Sequence, residues 1–403
     1  MSPPARRILL VDADAFFVSV AKLVDPDGAG RAPLLIVGGS AERRGVVTSA
    51  SYETRAYGVR SGMPMARALR LCPQATVVGV PRGACGAKSR EIMEVLRTFS
   101  PTIAAASIDE WYVDLGGTEA LYAGESLQQT AHRIRASVHE ATRLSVSIGG
   151  GTSRLVAKLA AERAKPKAGA NGVHIVPPGE ELAFMRTLVL ADIPGVGPKS
   201  AERLATMGLR TVDDALGWSQ QALSGALGER EGSWLHERVR GIDRGDVVER
   251  TQARSISRDE TFSRDIADDG ALQQELMALA YRAAADLRGD GLRARTVTVR
   301  IRDGDFTNRS ASRTLPAAIE SDRAVYDIAG ELLAKLRHAR RVPARLLSVA
   351  LTGLSEAASP QLGLFGEIAG DPESPRDRAV SRAVDAVRAK FGGGAISPGK
   401  TRD

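Results

Sequence analysis

A chain of 403 residues, 43% hydrophobic and 26% charged, is long and mixed enough for two to four packed domains, which argues against a disordered protein. Its net charge is +7, with arginine supplying 46 of the 55 basic residues, so an anionic partner that accepts bidentate contacts is favoured. The two cysteines, Cys72 and Cys85, show no metal-ligand spacing, which argues against a disulfide framework and for a reducing cytoplasm. No apolar run approaches the roughly 20 residues of a membrane span, so no membrane partner is expected. Residues 1–6 lead straight into a strand, and no signal peptide is expected.

Residues 7–12 read as a buried-type strand ending at Asp12, in the stretch Leu9-Leu10-Val11-Asp12-Ala13-Asp14-Ala15-Phe16-Phe17. A helix is expected over 15–24 and a second apolar strand over 33–39. Residues 45–55 mix small hydroxyl side chains with Tyr52 and Arg55. These two are three apart and share one face of a helical turn, where Arg55 could grip a triphosphate and Tyr52 add a hydroxyl donor; in isolation an ordinary surface turn is the better reading. Short and longer helices follow at 64–73 and 84–99.

A hairpin at 103–115 carries Ser107-Ile108-Asp109-Glu110-Trp111-Tyr112-Val113-Asp114. Neighbouring residues on a strand point to opposite faces, so Asp109 and Glu110 serve one centre only if a bend intervenes. A helix at 125–143 and a strand at 145–149 complete β-α-β-β-α-β, the ferredoxin-like pattern with material inserted after its first strand. There the first strand lies beside the hairpin, so Asp12 meets Asp109 and Glu110. Three carboxylates could hold two hard divalent cations, Mg2+ with Mn2+ as a substitute, about 3.5–4 Å apart, the arrangement that clamps an in-line phosphoryl displacement. Either acidic stretch alone reads as a solvated turn. A helix over 152–164 ends at Lys165-Pro166 and puts Lys158 and Lys165 on one face, solvated or in contact with phosphate.

Residues 173–242 read as a small helical domain around Ile193-Pro194-Gly195-Val196-Gly197-Pro198-Lys199, a helix-hairpin-helix signature. Gly195 and Gly197 let backbone N–H groups approach a phosphate, and Lys199 adds charge. Residues 243–254 read as a linker. In the last domain, about 255–355, Val297, Val299 and Ile301 alternate with Thr296, Thr298, Arg300 and Arg302, giving a strand with a core face and a phosphate-binding face. Residues 307–315 repeat the arginine-bearing alternation. An exposed sheet face with ordinary charge is the plainer reading; arginine and hydroxyl groups without acidic partners on the strand favour DNA backbone. In the tail, Gln361-Leu362-Gly363-Leu364-Phe365 could fill an apolar pocket on a partner. An amphipathic helix is expected over 375–391, with Ala379, Ala383, Val384, Val387 and Phe391 inward.

In this order the motifs Val11-Asp12-Ala13-Asp14-Ala15-Phe16-Phe17, Tyr52-Glu53-Thr54-Arg55, Ser107-Ile108-Asp109-Glu110, Ala157-Lys158-Leu159-Ala160 with Lys165-Pro166, and Pro194-Gly195-Val196-Gly197 resemble the Y-family DNA polymerases, and within them the bacterial DNA polymerase IV group. The resemblance implies an α+β multidomain, right-hand polymerase. Its ferredoxin-like palm would lie within 1–172, with small fingers inserted at about 16–82. A helix-hairpin-helix thumb would follow at 173–242, an α/β little finger at 255–355 and a tail at 356–403. It implies Asp12, Asp109 and Glu110 as catalytic metal ligands, with the Ala13 carbonyl joining one ion. Phe16, Phe17, Ser49, Tyr52, Arg55 and Lys165 would surround the incoming deoxynucleoside triphosphate, with Phe17 as the steric gate against a ribose 2′-hydroxyl. Gly195, Gly197, Lys199, Thr296, Thr298, Arg300 and Arg302 would hold primer–template DNA. Gln361, Leu362, Leu364 and Phe365 would dock on a sliding clamp, and the protein would act as a monomer.

Five features depart from that pattern: Ala104 where glutamate is usual, Cys85 where tyrosine is common, Trp111 in place of a small residue, Gly150-Gly151-Thr152-Ser153 in place of Ile-Ala-Pro-Asn, and a short insertion at the Lys165-Pro166 turn. Ala104 and Trp111 are expected to reshape the site floor. The small residues Ser49, Ala50 and Ser51 suggest a loose lid over the nascent pair, hence low fidelity and copying of damaged templates. A catalytically inactive, clamp-tethered DNA-binding adaptor on the same fold is the alternative, and the intact acids argue against it. A helix-hairpin-helix nuclease or glycosylase would leave Phe17, Tyr52 and Arg55 without a role.

Overall fold

Apolar alternation at the N-terminus produces the strand on which the first part of the molecule is built. The computed structural model describes residues 5–122, 124–166, 170–249, 253–356, 373–392 and 395–396. It divides into two units, the first ending at Arg250 and the second taking the rest together with the short stretch Ala41–Arg44.

In the first unit β1 (Ile8–Ala13) leads into α1 (Phe16–Val24). A small sheet follows, formed by β2 (Leu35–Gly38), β3 (Val47–Ala50) and β4 (Thr76–Val78), with short helices α2 (Tyr52–Ala56) and α3 (Met65–Leu71). The chain then returns through α4 (Arg82–Arg97), β5 (Thr102–Ala105), β6 (Glu110–Asp114), α5 (Leu127–Thr142), β7 (Val146–Gly151), α6 (Arg154–Ala164) and β8 (Val173–Ile175). The main sheet has the order β5-β6-β1-β7-β8. It is antiparallel except where β8 joins β7. The first four strands follow the expected ferredoxin-like order. The fifth corrects the expected start of the helical domain at 173, because residues 173–175 belong to this sheet.

Strand alternation sorts the sheet's two faces. Leu9, Val11, Trp111, Val113 and Ile148 pack with α4 and α5 in one core, while Ile8, Leu10, Ala104 and Tyr112 pack with Ala157 and Ala161 of α6 on the other. Gly149 makes the second packing so close: a Cβ there would lie 2.0 Å from the Ala161 nitrogen and 2.2 Å from the Ala157 carbonyl oxygen. The opposite flank of α6 enters a further core, where Leu155 and Leu159 meet Met185, Leu188, Leu204, Leu223 and Leu235. That core belongs to the helices α7 (Glu181–Met185), α8 (Pro198–Thr206), α9 (Val212–Leu216), α10 (Gln220–Leu227) and α11 (Glu229–Arg238). The expected linker is only partly one. Val247 is buried with the α6 face of the sheet, and Arg6 donates to the Gly245 carbonyl at 3.2 Å.

The second unit is a four-stranded antiparallel sheet in the order β11-β10-β12-β9, from β9 (Ser255–Ile266), β10 (Leu292–Asp303), β11 (Asn308–Ile319) and β12 (Ala344–Glu356). Helices α12 (Asp269–Gly289) and α13 (Asp322–Ala339) cover one face, over Val297, Val299, Ile301, Leu347 and Val349. The last helix, α14 (Pro375–Phe391), departs from the expected apolar docking: Phe391 is 67% and Val380 56% exposed. Polar groups hold it instead. Ser381 accepts from the Asp322 N–H at 3.0 Å, Glu373 accepts from the Glu320 and Ser321 N–H groups, and Asp385 takes both ends of the Arg288 fork at 2.6 and 2.9 Å. Ser381 thus satisfies the first free N–H of α13, that of Asp322, beside the Ser321 cap that accepts from the Ala324 N–H. No helix among the described residues is long and apolar enough to cross a membrane.

Candidate active site

The acidic centre is assembled by register. Asp12, near the end of β1, stands directly opposite Glu110, the first residue of β6, so both carboxylates face the α6 side. Asp109 lies in the bend before β6, as the chemistry requires, and its carbonyl accepts from the Ala13 N–H at 2.9 Å. Its side chain accepts from the Ser107 hydroxyl. The same alternation sends Trp111 away from the site. It is 1% exposed in the core that also holds Cys85, so the two departures from the family pattern meet in one core, where a larger side chain and a smaller one offset each other in volume. The expectation that Trp111 forms the site floor is thereby corrected. Ala104 does lie on the acidic face, buried beside Tyr112 and Ala157.

Helix α6 delivers two ammonium groups to these acids. Lys158 donates to both oxygens of Glu110, at 2.8 and 2.6 Å, and Lys165 stands 2.9 Å from Asp12 and 2.6 Å from Glu162. Burial pushes the Asp12 carboxyl up to about 6 against the pull of Lys165. Burial also works against the Lys165 ammonium, but Asp12 and Glu162 outweigh it and hold its pKa above the usual lysine value. Both values rise, but for opposite reasons: burial wins at Asp12, whose side chain is 9% exposed, whereas its two acidic partners win at Lys165, which is 24% exposed.

Asp14 is a site residue that the motif reading passed over. It is 6% exposed, accepts from the Ser147 hydroxyl at 2.7 Å through one oxygen, and has no partner for the other. Burial raises its pKa, with Ser147 opposing. Its spacing of two from Asp12 on an apolar strand was the available signal. Tyr52 and Arg55 share α2 as expected, with the guanidinium 4.8 Å from the Tyr52 ring centre. Burial raises the Tyr52 pKa first, and the charges of Asp14, Arg55, Lys165 and Asp12 all reach it, so the structure gathers these groups.

Phe17 is half-buried and packs edge-on against Phe16, ring centres 5.4 Å apart. Phe16 itself is 2% exposed in the α4–α5 core, so its ring is not a nucleotide contact. Ser49, Ala50 and Ser51 are buried, and Ser51 caps α2 by accepting from the Thr54 N–H.

Among the described residues no three carboxylate, histidine or cysteine side chains form an assembled metal cage. The donors are all hard oxygens, which suits a divalent cation such as magnesium. Asp12, Asp109 and Glu110 fit that role in type and register, but two of them are drawn to lysines and the third to Ser107.

The other expected contacts fall on other elements. Gly195 adopts φ +105° with Trp234 against it, where a Cβ would come within 2.7 Å of the indole, and Gly197 opens α8 without a side-chain cap. Gly195, Gly197 and Lys199 are exposed. On β10 the hydroxyls of Thr296 and Thr298 pair with those of Thr314 and Ser312, both at 2.9 Å, and Arg302 donates to Asn308 at 2.8 Å. Arg300 has an acidic partner after all: Asp259 on β9, at 2.8 Å. On β11 the arginines do not repeat the open face, because Arg309 pairs with buried Asp303 and Arg313 with Glu331 on α13. The Gln361–Phe365 segment, with Leu362 and Leu364, lies outside the described residues.

Residues 11–162 match the impB/mucB/samB family, residues 253–364 its C-terminal domain, and residues 191–243 the thumb domain of DNA polymerase-iota. The DNA polymerase IV of Dehalococcoides mccartyi strain CBDB1 is 35% identical over 98% of this chain and 97% of its own. That of Methanoculleus marisnigri is 38% identical over 90% and 99%. Among solved structures, a Y-family DNA polymerase chimera of Dbh and Dpo4 superposes with a TM-score of 0.77 at 25% identity, covering 86% of this chain and 98% of that one. An insertion ternary complex of Dbh DNA polymerase gives 0.60 at the same identity and coverage.

Proposed function

The chain belongs to the Y-family DNA polymerases, and from that membership we propose that it performs template-directed DNA synthesis, including synthesis across damaged templates, as a nucleotidyltransferase. The observation that carries this reading is the cross-strand pairing of Asp12 with Glu110 and the placement of Asp109 in the adjoining bend. Asp12, Asp109 and Glu110, with the Ala13 carbonyl, hold two divalent cations, Mg2+ by donor type and Mn2+ as a substitute. When bound, the pair supplies activation of the primer 3′-hydroxyl and charge stabilisation of the pyrophosphate leaving group.

Tyr52, Arg55 and Lys165 hold the triphosphate of the incoming deoxynucleotide, with Ser49 of β3 among the residues around it. The Phe17 ring takes the space of a ribose 2′-hydroxyl. The Gly195–Gly197 turn and Lys199 hold DNA phosphate through N–H groups and charge, and Thr296, Thr298, Arg300 and Arg302 grip its backbone without reading sequence. The protein works in the cytoplasm as a monomer. Gln361, Leu362, Leu364 and Phe365 dock on the sliding clamp; replacing Gln361, Leu364 and Phe365 with alanine should abolish clamp-dependent processive synthesis and spare basal extension. Nothing in the site favours the inactive adaptor, since all three acids are present.

The deciding experiment is primer extension with magnesium and four deoxynucleotides, on undamaged and then lesion-bearing templates, beside an Asp109→Ala/Glu110→Ala control. Extension by the native protein alone is the expected result. A folded, DNA-binding native protein that extends nothing in magnesium or manganese would return the adaptor reading.

A further inference from the structure

Asp12 and Glu110 are directly opposed on neighbouring strands, a geometry that brings like charges close and is destabilising unless a cation intervenes. Their side chains are 9% and 22% exposed, so water screens that repulsion only in part. The two nearest cations come from one element. Lys158 sits within α6 and Lys165 at its C-cap, two turns apart on one stripe, and each stands within 3 Å of its acid. Lys158 covers both Glu110 oxygens at once, which is the whole coordinating edge of that carboxylate.

We propose that Lys158 and Lys165 are built-in counter-cations, which hold the metal-binding acids in the ligand-free protein and are exchanged for divalent ions when the site is loaded. The inference rests on the polymerase reading and extends it to how the site survives between turnovers. An exchange needs somewhere for the ammonium groups to go. Glu162 supplies it, being four residues after Lys158 on the same helix and already 2.6 Å from Lys165, with a side chain 56% exposed. Asp14 offers a second seat beside Lys165, through its buried oxygen that has no partner. Lys158 is 30% exposed and is not walled in. Thus both lysines can leave the acids without losing an acidic neighbour. The lysines therefore oppose metal binding in the empty protein and, once displaced, stand free to face an incoming phosphate.

The test uses the full chain without DNA or nucleotide. Mn2+ binding is followed by the loss of its free-ion paramagnetic resonance signal, and the Mn2+-induced rise in melting temperature is measured from a chelator baseline. Lys158→Gln should bind Mn2+ about 1.4- to fivefold more tightly than the native protein, the range of an ion pair removed as a competitor. It should also melt lower in chelator and gain more on adding the ion, while Lys158→Arg behaves as native. No gain for Lys158→Gln in either measurement, with binding still lost in Glu110→Gln, overturns the exchange and makes Lys158 a fixed strut. If Glu110→Gln responds to Mn2+ as the native protein does, the acids are not the metal seat, and the site reading fails before the exchange is reached.

Discussion

Gly149 of β7 and Ala161 of α6 touch backbone to backbone, with room for no Cβ between them: the added atom would lie 2.0 Å from the Ala161 nitrogen. Gly149→Ala therefore must push α6 off the sheet. Overpacking of this kind costs about 1–3 kcal/mol, and here the obstacle is main chain, which does not rotate away. Urea denaturation should show a loss at or above the top of that range. The same shift withdraws Lys158 and Lys165 from the acids, so nucleotide affinity, read by fluorescence titration, should fall with it.

The Asp12 carboxyl gives the metal-free protein a signature in pH. Its pKa is near 3.8 in the unfolded chain and about 6 in the folded one. Between those values the folded protein holds a proton that the unfolded chain has released. The stability from this group is therefore fully present below the unfolded pKa and is lost as pH rises through about 6. A shift of that size corresponds to about 3 kcal/mol. In chelator, native stability should decline relative to Asp12→Asn by about this amount between pH 4 and 8. A flat difference across that window would refute it.

Arg302 is held by Asn308, a neutral partner, whereas Arg300 is already paired with Asp259. Of the two, Arg302 gives up less on meeting a phosphate. Arg302→Ala should weaken primer–template binding and lower the slope of log affinity against log salt by about 0.7–0.9, one phosphate's worth. Arg300→Ala should have the smaller effect in the same titration.

The polar docking of α14 predicts a stability effect far from the acids. Ser381→Ala leaves the buried Asp322 N–H without its acceptor, which costs about 1–3 kcal/mol. Calorimetry should place the loss in the transition of the second unit, with basal primer extension unchanged at low temperature.

These outcomes separate what the sequence carried from what only folding supplies. The β1 strand, the hairpin and the bend at Asp109 were legible because strand alternation and the two-carboxylate constraint left few arrangements. The turn of Trp111 into the opposite core was legible by the same rule, since Glu110 and its neighbour cannot share a face, yet proximity to the acids drew it into the site. The pairings of Lys158 with Glu110, Lys165 with Asp12 and Arg300 with Asp259 were not legible, because each acid is remote in sequence and meets its cation only when the elements pack; only the pairing of Lys165 with Glu162 is local. Residues 173–175 are too short to announce a strand. On α14 an apolar stripe pointed to the wrong face, because its docking uses Ser381 and the preceding Glu373 to accept from backbone amides at the start of α13 and Asp385 to accept from the Arg288 guanidinium.

Helix α6 belongs to two cores, and this limits how the first unit can flex. If the helical domain follows a substrate by swinging with α6 attached, both ammonium groups travel with it, and the charge balance at Asp12 and Glu110 registers the movement. If it swings alone, Leu155 and Leu159 must leave the core they share with Met185 and Leu204, at about 1.5–3 kcal/mol each. The cheaper path carries the lysines along, so the posture of the helical domain would be reported to the acids as an electrical signal.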